Sequence, residues 1–202
     1  TDNADTFDGS RDIVGGTRFD TLNNADSLDG GLGVDTLDVA LAGGVTISPA
    51  SLAGIEIINL QTDVANSFMN AVNSDSLTTV AFNNGSANAS MTNVQTLLSD
   101  VDITNNNGNN VTLTYANTAA AGTADALDVD LSGFTAANIS ITAAGGAGGY
   151  EAMTISSNGA QAQTITTLTV DAEVATLNVD GAQGLTITNA IAANVLTFNL
   201  AD

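Results

Sequence analysis

The chain has 202 residues, of which 22 are acidic and two are basic, and its formal net charge is −20. A surface that follows phosphate groups needs lysine and arginine, so this composition excludes nucleic acid and anionic lipid as partners. Histidine, lysine and cysteine are absent, which removes most general bases and covalent nucleophiles, and no apolar run approaches the roughly 18 residues of a membrane span.

Residues 30–38 are a complete copy of the nonapeptide GGxGxDxUx, a pattern that holds calcium in the turns of a parallel β-roll. Its glycines allow backbone carbonyls to approach an ion, and its aspartate supplies a hard anionic oxygen of the kind that calcium prefers. We therefore expect Asp35, with the backbone of Gly30 and Leu32, to ligate Ca²⁺. Leu37 lies two residues further along a short strand, so its side chain is expected in the core.

Four Asp-x-apolar triplets precede the nonapeptide and repeat the second half of its pattern. In chain order they begin at Asp5, Asp12, Asp20 and Asp26. Together with Asp29, these aspartates are further candidate ligands of Ca²⁺, because carboxylate oxygens are its usual ligands in proteins. The alternative is that they are ordinary turn residues that accept hydrogen bonds from backbone amides.

The loops between these triplets differ in length, with steps of 7, 8, 6 and 9 residues up to Asp35, so a long regular roll is not expected. Arg18 occupies a position at which the motif needs a left-handed backbone, at a cost of about 1–2 kcal/mol. We expect one well-formed calcium turn near Asp26 and Asp35, and a second turn near Asp12 and Asp20.

After residue 42 the glycine pattern ends, and the sequence predicts short strands joined by short helical turns. Ser48 and Pro49 are typical of the start of a helix. Two further helical faces are expected in residues 68–72 and 91–98, whereas the β-branched residues 55–60 predict a strand.

The C-terminal third repeats a short apolar-polar-apolar-polar segment. Successive copies begin at Leu168, Leu177, Leu185 and Leu196. This spacing is typical of the rungs of a parallel β-solenoid, although an antiparallel β-sandwich remains the alternative for this part. Asp171 and Asp180, which end two of the copies, are expected to be structural corner residues that each provide a turn hydrogen bond worth about 1 kcal/mol.

A second copy of the pattern DxLDVxLxG lies 90 residues after the first, at residues 35–43 and 125–133. Gly122 and Asp125 are therefore a candidate relic of another calcium turn. The single glycine makes metal binding a weaker expectation there. As domain organisation we predict a calcium-binding β-roll segment, residues 1–42, and a strand-repeat solenoid, residues 43–202.

Residues 30–38, the preceding triplets and the run 51–60 resemble the calcium-binding RTX proteins that bacteria export by the type I route. The closest similarity is to surface-layer and adhesin-like members, in which a short RTX stretch leads into Ala/Thr/Asn-rich strand repeats. The resemblance implies a calcium-ordered all-β solenoid on the bacterial cell surface. Arg18 and the shortened loop at residues 9–12 depart from the pattern. We expect the chain to be a piece of a longer protein.

The expected function is therefore that of an extracellular structural protein, a calcium-dependent surface-layer subunit that assembles with itself into a homo-oligomeric lattice. A cell-surface polysaccharide is a further candidate partner. The alternatives are a stalk or binding segment of a calcium-dependent adhesin and the non-catalytic RTX region of a secreted hydrolase or toxin. An enzyme is not expected, although aspartate pairs such as Asp128 and Asp130 remain conceivable as acid and base.

Overall fold

A computed structural model describes residues 3–14, 17–144, 148–191 and 197–200 as a stack of short β-strands. Nine strands form one parallel sheet. In spatial order they are β1 (Thr6–Gly9), β5 (Thr36–Leu41), β8 (Ile57–Thr62), β10 (Thr79–Asn83), β12 (Asp100–Thr104), β14 (Ala126–Ser132), β16 (Ala152–Asn158), β18 (Thr176–Asp180) and β20 (Thr197–Leu200).

A second parallel sheet has seven strands. They are β6 (Thr46–Ile47), β9 (Phe68–Asn70), β11 (Ala89–Val94), β13 (Val111–Ala116), β15 (Ala137–Ala144), β17 (Gln163–Val170) and β19 (Leu185–Ile187). Two smaller pairs complete the fold: β4 (Ser27–Asp29) is parallel to β7 (Ser51–Ala53), and β2 (Asp12–Val14) is antiparallel to β3 (Thr17–Phe19).

The chain visits the two large sheets alternately, so each coil contributes one strand to each sheet and stacks on the coil before it. The result is a β-solenoid of about seven turns, which confirms the predicted fold class. The antiparallel sandwich considered for the C-terminal third is wrong, because the strands from β14 to β20 pair in parallel within their sheets.

The core lies between the two large sheets and is built from stacked aliphatic side chains. One ladder of the nine-stranded sheet contains residues of equivalent register in successive coils, all of them buried: Leu37, Ile58, Val80, Val101, Val129 and Ile155. Each such side chain stabilises the fold by about 1.5–3 kcal/mol through removal of its apolar surface from water. Leu37 is thus a core residue, as expected.

The predicted helical turns are wrong, since the described residues contain no helix. Residues 68–70 form β9 and residues 89–94 form β11, while Ser48 and Pro49 precede the strand β7. A short apolar run does not distinguish the periodicity of a helix from that of a strand. Parallel pairing with the neighbouring coils outweighs a weak helical preference.

The second expected calcium turn, near Asp12 and Asp20, coincides with an antiparallel hairpin instead of a parallel coil. Val14 pairs with Thr17, so two residues, both glycine, separate β2 from β3. A Gly-Gly pair between two short strands is typical of a hairpin connection. A calcium ligand role for Asp12 stays a prediction, because its side chain lies outside the described residues.

The proposed division after residue 42 also stays a prediction. β5, which ends before it, pairs with β8, which follows it, within one continuous sheet. None of the described residues belongs to a helix with the length and apolar character needed to cross a membrane.

Candidate metal centre

Asp35 is the centre of the candidate site and lies at the corner that leads into β5. Its side chain is fully buried, with 0 % exposure. The backbone N–H of Asp5, one coil earlier, donates to Oδ1 at 2.6 Å. The backbone N–H of Asp35 itself donates to Oε2 of Glu56, one coil later, at 2.7 Å. The corner therefore joins three consecutive coils.

The second carboxylate oxygen of Asp35, Oδ2, is buried and finds no hydrogen-bond partner among the described residues. It faces Gly30, where an ideal Cβ atom would lie 2.6 Å from Oδ2 and 2.1 Å from the carbonyl oxygen of Gly54. Only a glycine fits at residue 30. Its missing side chain leaves two oxygens, one of them anionic, directed at one small space.

This arrangement fits calcium. A buried carboxylate oxygen without a donor is unfavourable by several kcal/mol unless a proton or a cation compensates it. Asp35 Oδ2 and the carbonyl oxygen of Gly54 are the hard oxygens that Ca²⁺ prefers, and the carboxylate of Glu56 borders the same corner. These three groups are the ones that would hold the ion, and a bound ion would supply the missing positive charge.

Of the predicted ligands, the structure brings Asp35, Asp5 and Gly30 together. Asp5 contributes its backbone N–H to Asp35, and Gly30 is buried, with its N–H donating to the carbonyl of Ala53 at 3.0 Å. Leu32, by contrast, exposes 67 % of its surface. A role for the Leu32 carbonyl stays a prediction.

The carboxylates of Asp26, Asp29 and Asp20 accept hydrogen bonds from N–H groups. Both carboxylate oxygens of Asp26 accept hydrogen bonds from Asn23, from its N–H at 2.9 Å and from its side-chain amide at 3.0 Å. Asp29, at the end of β4, accepts from the N–H of Gly31 at 3.1 Å. Asp20 accepts from the N–H of Ala42. The contacts of Asp26 and Asp29 are local, as in ordinary turn aspartates, whereas that of Asp20 joins segments 22 residues apart. Metal binding at the three residues stays a prediction.

Asp125, the counterpart of Asp35 in the second DxLDVxLxG copy, repeats the backbone part of the site. Its N–H donates to Oε2 of Glu151 at 2.7 Å, as that of Asp35 does to Glu56. Its carboxylate, however, is half-buried, and Oδ2 accepts a hydrogen bond from the N–H of Gly122 at 2.9 Å. The repeat therefore preserves the corner without a buried carboxylate oxygen that lacks a partner.

Sequence reasoning missed Glu56 and Gly54, because both belong to the coil after the nonapeptide. A signal was present for the glutamate. The chain contains three glutamates, and two of them, Glu56 and Glu151, stand directly before a strand. Each accepts a hydrogen bond from the backbone N–H of the corner aspartate one coil earlier.

The outer surface of the nine-stranded sheet carries an acidic cluster that the sequence did not predict. One carboxylate oxygen from each of Asp100, Asp102 and Asp130 lies within 4.8 Å of the others. Partial burial and the charges of Asp102, Asp130 and Asp128 raise the pKa of Asp100 to about 6. Burial, and then the charge of Asp130, also raise the pKa of Asp102.

Asp171 is buried as well, but its carboxylate is satisfied by protein donors. Its oxygens accept hydrogen bonds from the Tyr115 hydroxyl and, at 2.8 and 3.0 Å, from the N–H of Ala143. Burial raises the pKa of Asp171, and the Ala143 hydrogen bond opposes this shift. The Tyr115 ring packs edge-on against Tyr150, so Asp171 holds part of the core in place. The expectation of a simple turn hydrogen bond there is wrong.

Comparison of the chain with protein-family models, with curated proteins and with solved structures finds no match.

Proposed function

We propose that this chain is a calcium-ordered structural solenoid of the bacterial cell exterior, and that it forms the subunit of a self-assembling surface layer. The observation that carries the proposal is the buried Oδ2 of Asp35, which lies beside the Gly54 carbonyl without a hydrogen-bond partner among the described residues. Calcium satisfies such an oxygen, and weak calcium sites suit an extracellular setting in which the ion is abundant.

The fold favours a structural role over a catalytic one. Repetition of one coil produces an extended surface in which every unit contacts only its neighbours. The absence of histidine, lysine and cysteine from the sequence leaves carboxylates as the main acid–base groups. Those carboxylates stand mainly at corners and on one sheet, where they repel other copies of the chain.

The charge of −20 makes assembly depend on cations. Monovalent salt limits the reach of the repulsion to about 8 Å at physiological ionic strength, but it does not connect two copies. A divalent ion takes oxygens from both partners at once. Calcium should therefore drive assembly more effectively than sodium at the same ionic strength.

The test is light scattering with electron microscopy on the full chain, titrated with calcium chloride and, at matched ionic strength, with sodium chloride. We expect large ordered particles in calcium chloride and none in sodium chloride. If sodium is equally effective, or if neither salt produces particles larger than a pair of chains, the surface-layer function is contradicted and an adhesin stalk becomes the better account.

A further inference from the structure

The two large sheets differ in charge. The strands of the nine-stranded sheet contain seven aspartates and no basic residue: Asp8, Asp38, Asp100, Asp102, Asp128, Asp130 and Asp180. The strands of the seven-stranded sheet, all within the described residues, contain no aspartate, glutamate, lysine or arginine. A chain of net charge −20 thus keeps one sheet free of charge.

The outward side of this second sheet is built mainly from hydroxyl side chains, and we call it the neutral face. Its central residues are Ser90, Thr92, Thr112, Thr114, Ser140, Thr142 and Thr169. The parallel register stacks them in ladders: Ser90, Thr112, Ser140 and Thr169 occupy equivalent positions on four adjacent strands. Each alternates with a buried core residue.

We propose that the neutral face is a docking surface for a second copy of this chain, and that two copies pair through it without calcium. The proposal rests on the assembly function proposed above and assigns one of its contacts. Threonine methyl groups provide apolar contact area, while the hydroxyls both donate and accept hydrogen bonds, so two such faces can satisfy each other.

The distribution of charge over the two sheets favours a second copy of the chain as the occupant of the neutral face. Contact between two nine-stranded sheets brings carboxylates together, including the cluster of Asp100, Asp102 and Asp130. Contact between two neutral faces buries no charge, and it leaves the acidic sheets on the outside of the pair, far from each other. Without divalent ions, a highly negative partner meets less repulsion on this surface than on the acidic sheet, and a second copy is a partner of that kind.

The area of the face is sufficient for a specific contact. The seven strands contain 36 residues. With a rise of about 3.3 Å per residue and a strand spacing of about 4.8 Å, they present a surface of about 570 Å² per copy. A pair that buries the whole face on both copies therefore buries about 1,100 Å² in total, just above the roughly 1,000 Å² expected of a specific interface. A two-fold contact of this type closes on itself, so growth beyond a pair needs a second contact, for which the acidic sheets and calcium remain.

The test is sedimentation velocity of the full chain in chelator at about 0.15 M sodium chloride, where the Debye length is about 8 Å. We expect the wild type to form pairs. The double variant Thr114→Asp, Thr142→Asp places two carboxylates on adjacent strands of the neutral face and should weaken pairing at least about tenfold, since like charges meet across the interface.

The matched control is Thr79→Asp, Thr104→Asp, which adds the same charge to the outward side of the nine-stranded sheet. It should pair like the wild type. A third variant, Thr114→Lys, Thr142→Lys, should pair with the aspartate variant but not with itself, which separates loss of contact from loss of folding.

A monomeric wild type in chelator, or an aspartate variant that pairs as well as the wild type, overturns the inference. So does a monomeric wild type whose neutral face binds a cell-surface polysaccharide. Failure here is distinguishable from failure of the proposed function: calcium-driven particles without pairs in chelator contradict only the docking surface, and pairs in chelator without calcium-driven particles contradict only the surface layer.

Discussion

Asp35 and Asp171 are both buried in the solenoid, but their carboxylates differ in hydrogen bonding. The carboxylate oxygens of Asp171 accept hydrogen bonds from the Tyr115 hydroxyl and the Ala143 N–H, so protein donors compensate this buried group. Oδ2 of Asp35 has no donor among the described residues and faces a backbone carbonyl across the space left by Gly30. Burial alone therefore does not make a carboxylate a candidate metal ligand. The unpartnered oxygen is what makes Asp35 one.

Asp125 sharpens the contrast, because it shares the local sequence of Asp35 and the same hydrogen bond to a glutamate one coil later. Its carboxylate is more exposed and accepts a hydrogen bond from Gly122. The shared pattern thus determines the corner, whereas the loop just before the aspartate determines whether Oδ2 receives a local N–H donor.

The largest effect on stability is expected for Asp171→Ala. The change leaves the Tyr115 hydroxyl and the Ala143 N–H without their acceptor in the core, and each unsatisfied buried group costs about 1–3 kcal/mol. We expect a loss of about 4 kcal/mol in the free energy of unfolding. Urea denaturation should show the same loss in calcium and in chelator. A loss that appears only in calcium would make Asp171 a metal ligand after all.

The effect of Asp35→Asn on the free energy of unfolding should be a loss in calcium, and no loss or a gain in chelator. An ion at 100 times its dissociation constant stabilises the folded state by about 2.7 kcal/mol, and the amide variant should lose this contribution. In chelator the variant should be at least as stable as the wild type, because a neutral amide removes an uncompensated buried charge and can donate to the Gly54 carbonyl.

Thermal melts check this reversal. A change of 1 kcal/mol corresponds to about 2–4 °C for a chain of this size, so the loss in calcium should be about 5–10 °C. Asp125→Asn is the matched control and should melt alike with and without calcium, relative to the wild type. Equal calcium-dependent losses in both variants would show that the repeat, and not the unpartnered oxygen, defines the site.

Gly30→Ala tests the space beside Asp35, with Gly122→Ala as its counterpart. The added methyl group at residue 30 collides with the backbone carbonyl of Gly54, so the corner must shift, at a cost of about 2 kcal/mol. At residue 122 the close atoms belong to the side chain of Asp125, which can move away. Calcium-dependent stabilisation should disappear in Gly30→Ala and remain unchanged in Gly122→Ala. Identical melts for the two variants would contradict the geometry of the site.

The smallest effect is expected from the acidic cluster. The raised pKa of Asp100, about 6 instead of 3.8, means that the folded state holds this proton more tightly than the unfolded state. The resulting stabilisation is present below about pH 4, declines as the pH rises to 6 and is lost above that. Asp100→Asn should therefore increase stability at pH 7, by less than about 1 kcal/mol because the group is partly exposed, and make little difference at pH 4.

Denaturation in calcium-free buffer at the two pH values measures this difference. Asp180→Asn, on an exposed residue of the same sheet, is the control and should show a smaller gain at pH 7. A larger gain for the control would place the repulsion elsewhere on the sheet.

The solenoid was predictable because short segments that alternate apolar and polar residues recur along the chain, and each can bury only one side. Which strands stack was not predictable. Coil length varies from 21 residues between Thr36 and Ile57 to 30 between Thr6 and Thr36, so no constant period aligns the segments. The cluster of Asp100 with Asp130 depends on a coil of 28 residues, from Asp100 to Asp128, and only the strand register brings these side chains together.

Within the candidate site, Asp35 and Gly30 were predictable because they belong to one continuous motif. Gly54 and Glu56 lie more than 20 residues beyond Gly30, and only the stacking of coils brings them to the same corner. The hairpin of β2 and β3 was missed for a related reason. A glycine pair serves a calcium turn and a hairpin equally well, and the choice depends on pairing across strands.

The central claim is that Asp35 holds a calcium ion. Isothermal titration of calcium into the full chain at constant ionic strength tests it directly, with wild type, Asp35→Asn and Asp125→Asn compared. We predict that Asp35→Asn loses one site, or at least about tenfold in affinity at that site, as expected on removal of an anionic ligand, while Asp125→Asn retains the wild-type isotherm. A wild-type isotherm for Asp35→Asn would contradict the account.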